Sequence, residues 1–419
     1  MAKRSLLYIG HPYHLRSKSV DFLKARLERE FDIDYVESEL DCTFPAAKVA
    51  SIPRTHYDVC VCLQVMPSMV EIRKRVSFGK GVFFPMADYY YGITGPDSPI
   101  WGEYADFRII LFSRKVYDEL KSRGFDVEYI QYFPKPADVK DDGDARGVWF
   151  WQRITHLNVY TLLSVLKDFP ISRLHIHKVV DPGEQFILLP TVYQKGFGVS
   201  YSTWYDTRAQ MQEDMDRYAI YFAPRAIEGI GLSYLEAMAH GRCVIAHDDT
   251  CANEYIEHGK TGFLYDFHKA DETALNITPE DVRRVQKNVR KYIRKGYEQW
   301  SKTLEALPRL FDAPVKIDET LMAESRRQWN SGATLACPQL QDPTHMLMSG
   351  CPNPVRGGLR RRLDHLRELM SNADNCGTYQ SVRKKSLLGI PLFSKDVRSD
   401  GRRVKFRVCG FPLLVMDLI

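Results

Sequence analysis

The chain has 419 residues. At ~100 to 200 residues per domain that predicts two to four domains and excludes a single small binding module. Apolar residues make up 44% and charged residues 26%, so real cores can form and a disordered or fibrous protein is excluded. With 58 basic and 53 acidic residues the net charge is only +5, too little over this length for a whole-chain nucleic-acid binder.

Basic residues at the amino terminus precede a short apolar run, too short for a signal-peptide core, and residues 5–9 read as a first strand. No stretch approaches the ~18 apolar residues that spanning a bilayer needs. The nine cysteines are scattered, odd in number and form no CxxC pair, which disfavours a disulfide framework or zinc site and makes a reducing cytoplasm the expected compartment. Residues 17–31 carry Val20, Leu23, Leu27 and Phe31 at helical spacing. Strand-like runs follow at 57–65, 81–84 and 107–112, then a helix over 115–123 and a run at 127–131. Together these predict one doubly wound α/β unit. Residues 134–147 are rich in Pro, Gly and Asp and read as a linker.

A second series predicts strands at 148–151, 174–177, 219–223 and 242–246, with helices over 158–167, 232–240 and 279–294. The fold class is therefore α/β, two Rossmann-like doubly wound parallel-sheet domains over 1–146 and 147–295 that face a cleft. From about residue 313 the alternation stops. The extension 313–419 holds 17 basic and 10 acidic residues, net +7, which leaves −2 for residues 1–312. It contains an arginine-rich stretch at 356–367 and an internal echo, Leu388-Gly-Ile-Pro-Leu-Phe393 against Cys409-Gly-Phe-Pro-Leu-Leu414. Two copies are too few for a solenoid.

The most informative segment is Ala223-Pro-Arg225-Ala-Ile-Glu228-Gly-Ile-Gly231-Leu232-Ser-Tyr-Leu-Glu236. A strand ends at a proline, a Glu-Gly-x-Gly turn follows, and a helix opens at Leu232. Amides exposed by Gly229 and Gly231, with the free N–H groups and positive end of that helix, make a cradle suited to a diphosphate. Glu236 lies eight residues after Glu228, so one carboxylate sits at the lip of the cradle and the other projects from the helix.

This segment, with Cys243-Val-Ile-Ala246 and the later Gly259-Lys-Thr-Gly262-Phe-Leu264, resembles the family 4 glycosyltransferases, retaining enzymes of the GT-B fold marked by Glu-x7-Glu. Weaker similarity covers Ser113 and a helix over about 296–312, which in such folds crosses back onto the first domain. The resemblance implies that Glu236 binds the ribose hydroxyls of a nucleotide-sugar donor and that catalytic Glu228 faces the donor sugar. Gly229, Gly231 and the Leu232 amide would hold sugar and diphosphate. It implies no cofactor and no metal, with protein cations stabilising the leaving group instead.

Arg153, in Val148-Trp-Phe-Trp-Gln-Arg153, matches the family's clamp arginine, but position 158 is Asn where a lysine is usual. His156, Lys178, Arg225, Arg16 and Lys18 are candidates for the second cation. The loop after the first strand, with Gly10, His11 and His14, and Asp88 after a later strand are candidate acceptor-side residues.

The expected function is transfer of a sugar from a nucleotide-sugar donor to a glycan or lipid-linked glycan acceptor, as in bacterial surface polysaccharide or lipopolysaccharide synthesis. A non-catalytic sugar-nucleotide-binding subunit and a GT-B epimerase or phosphorylase are the alternatives. No nucleic-acid partner is expected, and the sequence leaves the oligomeric state open. Residues 358–370 place Leu359, Leu363, Leu366 and Met370 on one helical face with arginines around it. Such a basic amphipathic helix makes 356–419 a candidate for docking on an anionic membrane, which would put the enzyme peripherally on the inner face.

Overall fold

The computed structural model describes residues 3–139, 141–189, 196–270, 274–330 and, as backbone, the segments 379–387, 390–398, 403–408 and 411–417. In the amino-terminal half six parallel strands, β1 (Arg4–Gly10), β2 (Phe31–Glu37), β3 (His56–Leu63), β4 (Ser77–Phe84), β5 (Arg108–Leu111) and β6 (Val127–Tyr129), form a sheet of order 2-1-3-4-5-6. β1, β3 and β5 are buried almost throughout because helices cover both faces, and hence they read as continuous apolar runs.

The second half repeats the plan with β7 (Asp144–Trp151), β8 (Arg173–His177), β9 (Gly198–Ser202), β10 (Tyr218–Phe222), β11 (Cys243–His247) and β12 (Phe263–Tyr265). Their order is 12-11-10-7-8-9, again all parallel. In this order the strand sequence reverses between β7 and β10, and ligands of open α/β sheets lie outside the carboxyl ends of the strands at that switch point.

Several local expectations change. The helical spacing over 17–31 resolves into helices Tyr13–Ser17 and Asp21–Glu28, after which Phe31 opens a strand instead of closing a helix. Phe31 has an apolar partner in either geometry, and the alternation in Phe31-Asp-Ile-Asp-Tyr-Val-Glu37 supports the edge strand. β9 and the helix Arg208–Asp216 were not expected at all. The two helices expected near 279–294 and 296–312 are one, Pro279–Asp312, opened by a Thr278/Asp281 capping box. Its first turns bury Val282 and Val285 in the core of the second half. Farther along, Trp300 and Phe311 pack in the core of the first, with Trp300 against Phe22 and Tyr132 at ring separations of 5.5 and 5.2 Å.

The chain beyond Asp312 first stays with the amino-terminal half: helix Glu319–Asn330 buries Met322 and sets Trp329 6.1 Å from Phe125. The described residues beyond 350 belong to a separate unit. Its described part is an antiparallel meander of β13 (Tyr379–Leu387), β14 (Ile390–Arg398), β15 (Arg403–Val408) and β16 (Phe411–Asp417). Each sequence echo begins between paired strands and runs into the second of them, so the repeat is a hairpin used twice. The arginine-rich stretch 356–367 and the amphipathic pattern 358–370 lie outside the described residues. Among the described residues no helix is long and apolar enough to cross a membrane.

Candidate active site

The switch point of the second sheet gathers the connection after β7, carrying Arg153, and the connection after β10, carrying Arg225 to Gly231. Gly231 holds φ +86 as the N-cap of helix Leu232–Ala239, and a Cβ there would lie 2.0 Å from the Tyr234 hydroxyl oxygen. Only glycine satisfies both the left-handed backbone and that approach. At Gly229 a Cβ would fall 2.9 Å from Oδ1 of Asp88 and 3.2 Å from Met86, so the loop after β4 rests on this turn. Below the turn the Cys251 thiol donates to the Glu228 carbonyl at 3.1 Å.

Charged groups from three connections meet here. Arg153 donates through Nε and Nη2 to Asp181 Oδ1 at 3.0 and 2.8 Å. Arg225 donates to Oδ2 of the same carboxylate through Nε at 3.0 Å and through Nη2. Its Nη1 lies 3.5 Å from Asp88 Oδ2, an ion pair from one half of the molecule to the other. Burial pushes Asp181 upward, but Arg225 and Arg153 outweigh it and hold the carboxyl below its usual range. Glu228 goes the other way: burial raises it, and Arg225 and Arg153 only partly offset that. Glu228 accepts one long hydrogen bond, 3.4 Å, from the Ser233 hydroxyl.

Glu236, one and a half turns into the helix, is raised by burial against the pull of Arg208, with which it forms an ion pair. The structure thus brings Glu228, Arg153, Arg225 and Asp88 together around Gly229, and leaves Glu236 with Arg208. Lys178 is exposed and its ammonium sits 5.4 Å from the Tyr201 ring centroid, outside the cluster. Position 158 is occupied in another way, since Asn158 caps helix Val159–Val165 through its side-chain oxygen. Lys18 is the left-handed C-cap of Tyr13–Ser17, and the Arg16 side chain lies outside the described residues.

On the opposite side, Gly10 ends β1 and its carbonyl accepts the Ser38 amide at 2.9 Å. His11 accepts the Tyr13 amide at Nδ1, so Nε2 donates to the Leu40 carbonyl, both at 3.1 Å. His14 bridges Ser19 and Gln64 at 2.7 Å each, and burial pushes it down to about 4, leaving it neutral. Gln64 itself holds φ +68 just after β3. Further contacts join the halves: Lys115 to Asp249 at 2.9 Å, the Arg114 amide to Glu254 at 2.7 Å, and Ser113 to Thr250.

Asp181 and Arg208 were not singled out from sequence. Asp181 sits in Val179-Val-Asp181-Pro-Gly183, which reads as a plain turn. Arg208 opens a helix with no apolar periodicity to announce it.

Residues 201–297, which span the turn and the helix after it, match the family model of glycosyl transferases group 1. No curated protein matches the chain in sequence. Among solved structures, Anabaena HepE in complex with UDP and glucose is 15% identical over 73% of this chain and 100% of that one, with a TM-score of 0.50. Sucrose-phosphate synthase from Thermosynechococcus elongatus is 12% identical over 73% and 98%, with a TM-score of 0.52. TarM is 16% identical over 64% of this chain, with a TM-score of 0.47, and the chain spans 58% of its length. The two-sheet frame is therefore the GT-B fold, and residues 201–297 of its second half are similar to the glycosyl transferases group 1.

Proposed function

We propose that the chain is a retaining, metal-independent glycosyltransferase of the family 4 type, moving a sugar from a nucleotide-sugar donor to a glycan or lipid-linked glycan acceptor. The observation that carries this is the meeting of Arg153, Arg225 and Glu228 at the Gly229–Gly231 turn, where a helix begins. A diphosphate in that turn receives backbone N–H groups, the positive end of the helix and two guanidinium groups. Glu236 takes the ribose hydroxyls, with Arg208 orienting its carboxylate. Glu228 faces the sugar, and Asp88 and the loop after β1 face the acceptor.

The bond from the anomeric carbon to the diphosphate breaks as the acceptor hydroxyl attacks from the same face. The departing phosphate oxygen takes the acceptor's proton, so charge and atoms balance without a metal. Catalysis is then stabilisation of the negative charge that builds on the diphosphate. UDP, bound in the HepE structure, is the first nucleotide to test. The setting proposed is the cytoplasm, with residues 356–419 docking on an anionic membrane during bacterial surface polysaccharide or lipopolysaccharide synthesis.

A thermal-shift panel of UDP, GDP, ADP, dTDP and CMP tests donor binding, since a ligand at 100 times its Kd stabilises by ~2.7 kcal/mol. Proton NMR of the product then reads the anomeric configuration, and turnover in EDTA tests the metal. Inversion overturns the retaining mechanism, loss of activity in EDTA overturns metal independence, and a flat panel overturns donor binding.

A further inference from the structure

Two guanidinium groups beside one another repel unless an anion lies between them, and the anion here belongs to the protein. Asp181 stands near the start of the connection after β8, on the third side of the site. Its two oxygens are divided between the arginines: Oδ1 takes Nε and Nη2 of Arg153, and Oδ2 takes Nε and Nη2 of Arg225. All three side chains are largely buried, with Asp181 16% and Arg153 11% exposed. Each guanidinium is therefore held by the same edge and presents the same remaining nitrogen, Nη1. For Arg225 that nitrogen faces Asp88 at 3.5 Å, and Arg153 Nη1 has no hydrogen-bond partner among the described residues.

The backbone reinforces the arrangement, because the Asp181 amide donates to the Arg153 carbonyl at 2.9 Å and the Arg153 guanidinium lies over the Trp151 ring at 4.8 Å. The connections after β7, β8 and β10 are thus tied at one carboxylate.

We propose that Asp181 is the positioning residue of the donor site, a buried carboxylate that aims two arginines as one unit at the diphosphate of a nucleotide sugar. The inference rests on the donor reading above and adds a role to a residue that never touches the substrate. Its cost is specific. Asp181 brings a negative charge next to an anionic ligand, so it lowers ground-state affinity for the diphosphate while fixing the geometry that serves the leaving group.

That opposition separates a positioning role from a merely structural one. In the full chain, Asp181→Asn keeps the shape, removes the charge and leaves each arginine a weaker, movable contact. The expected result is UDP affinity by calorimetry equal to or tighter than wild type, together with a fall in kcat of tenfold or more. Asp181→Glu keeps the charge but pushes the guanidinium groups out of place, so kcat falls while UDP affinity stays within threefold. The second variant serves if the first does not fold. If affinity and kcat fall in parallel in either variant, or if kcat stays within threefold of wild type, the proposal is overturned. Failure of wild type to bind UDP, GDP, ADP, dTDP or CMP overturns the donor reading and this inference with it, an outcome visible before any variant is made.

Discussion

Replacing Arg153 by alanine tests the proposed clamp most directly, because the residue has two separable jobs in that proposal. The first is stabilisation of the leaving diphosphate. Removing one preorganised donor of this kind costs about 10² to 10³ in kcat, or roughly 3 to 4 kcal/mol of transition-state stabilisation. The second is its field at Glu228. Burial raises that carboxyl, Arg225 and then Arg153 pull it down, and without Arg153 it rises further. At a given pH a smaller fraction of Glu228 is then ionised, so the acid limb of the kcat profile moves to higher pH. Stability falls less than for a fully orphaned buried charge, about 1 to 3 kcal/mol, because Asp181 keeps Arg225 as a partner. The assay is initial rate at saturating donor from pH 5 to 9, with urea unfolding to confirm the fold. Activity within a few-fold of wild type moves leaving-group stabilisation elsewhere, and an acid limb that moves downward refutes the electrostatics.

Glu236→Ala should weaken nucleoside diphosphate binding roughly ten- to a hundredfold, the loss of charged hydrogen bonds worth ~1.5 to 3 kcal/mol, and unchanged affinity by calorimetry removes the ribose role. Burial pushes both His14 and His177 down to about 4 from 6.5, so the unfolded chain binds protons that the folded chain refuses. Their contribution to stability is present above pH 6.5 and is lost as pH falls toward 4, read as a falling urea midpoint; His14→Gln should shrink that loss, and an unchanged loss contradicts the neutral His14. For the tail, cosedimentation with anionic liposomes should be seen at low salt for the full chain and disappear in a chain ending at Asn330, a better boundary than Asp312 because Glu319–Asn330 packs on the first half. Binding that survives the truncation rules out the tail as the membrane-docking segment.

Most of the two-sheet frame can be read from sequence because interior parallel strands are apolar on both faces. Runs such as Cys243–His247 and Tyr218–Phe222 announce themselves without any knowledge of their neighbours. Edge strands do not. β2 and β9 are half exposed, mix polar residues into their runs, and look like helix ends or loops. The turn from Glu228 to Glu236 is equally readable, being local and written in glycines whose backbone demands the structure displays. Asp181 is hidden for the opposite reason. Its meaning depends on Arg153 and Arg225, which lie 28 and 44 residues away in sequence and meet only once β7, β8 and β10 take their order in the sheet.

That order also accounts for the missing lysine. Asn158 sits where the family pattern offers a cation, and the structure gives it the N-cap of Val159–Val165, accepting the Tyr160 amide at 2.9 Å and donating to the Thr155 carbonyl at 2.8 Å. A lysine there could not accept the Tyr160 amide, and losing a cap costs about 1 kcal/mol. Arg225 comes from a different connection but reaches the same carboxylate as Arg153, so the second positive charge of the proposed clamp can arrive from β10 instead of from the turn after β7. The substitution has a geometric consequence. Because Arg225 lies three residues before Glu228 and also pairs with Asp88, the cation that would hold the diphosphate is tied to the loop that rests on Gly229 from the other half. In the proposed reaction a donor diphosphate entering the turn would compete with Asp88 for Arg225, which would link charge neutralisation at the leaving group to the contact between the two halves.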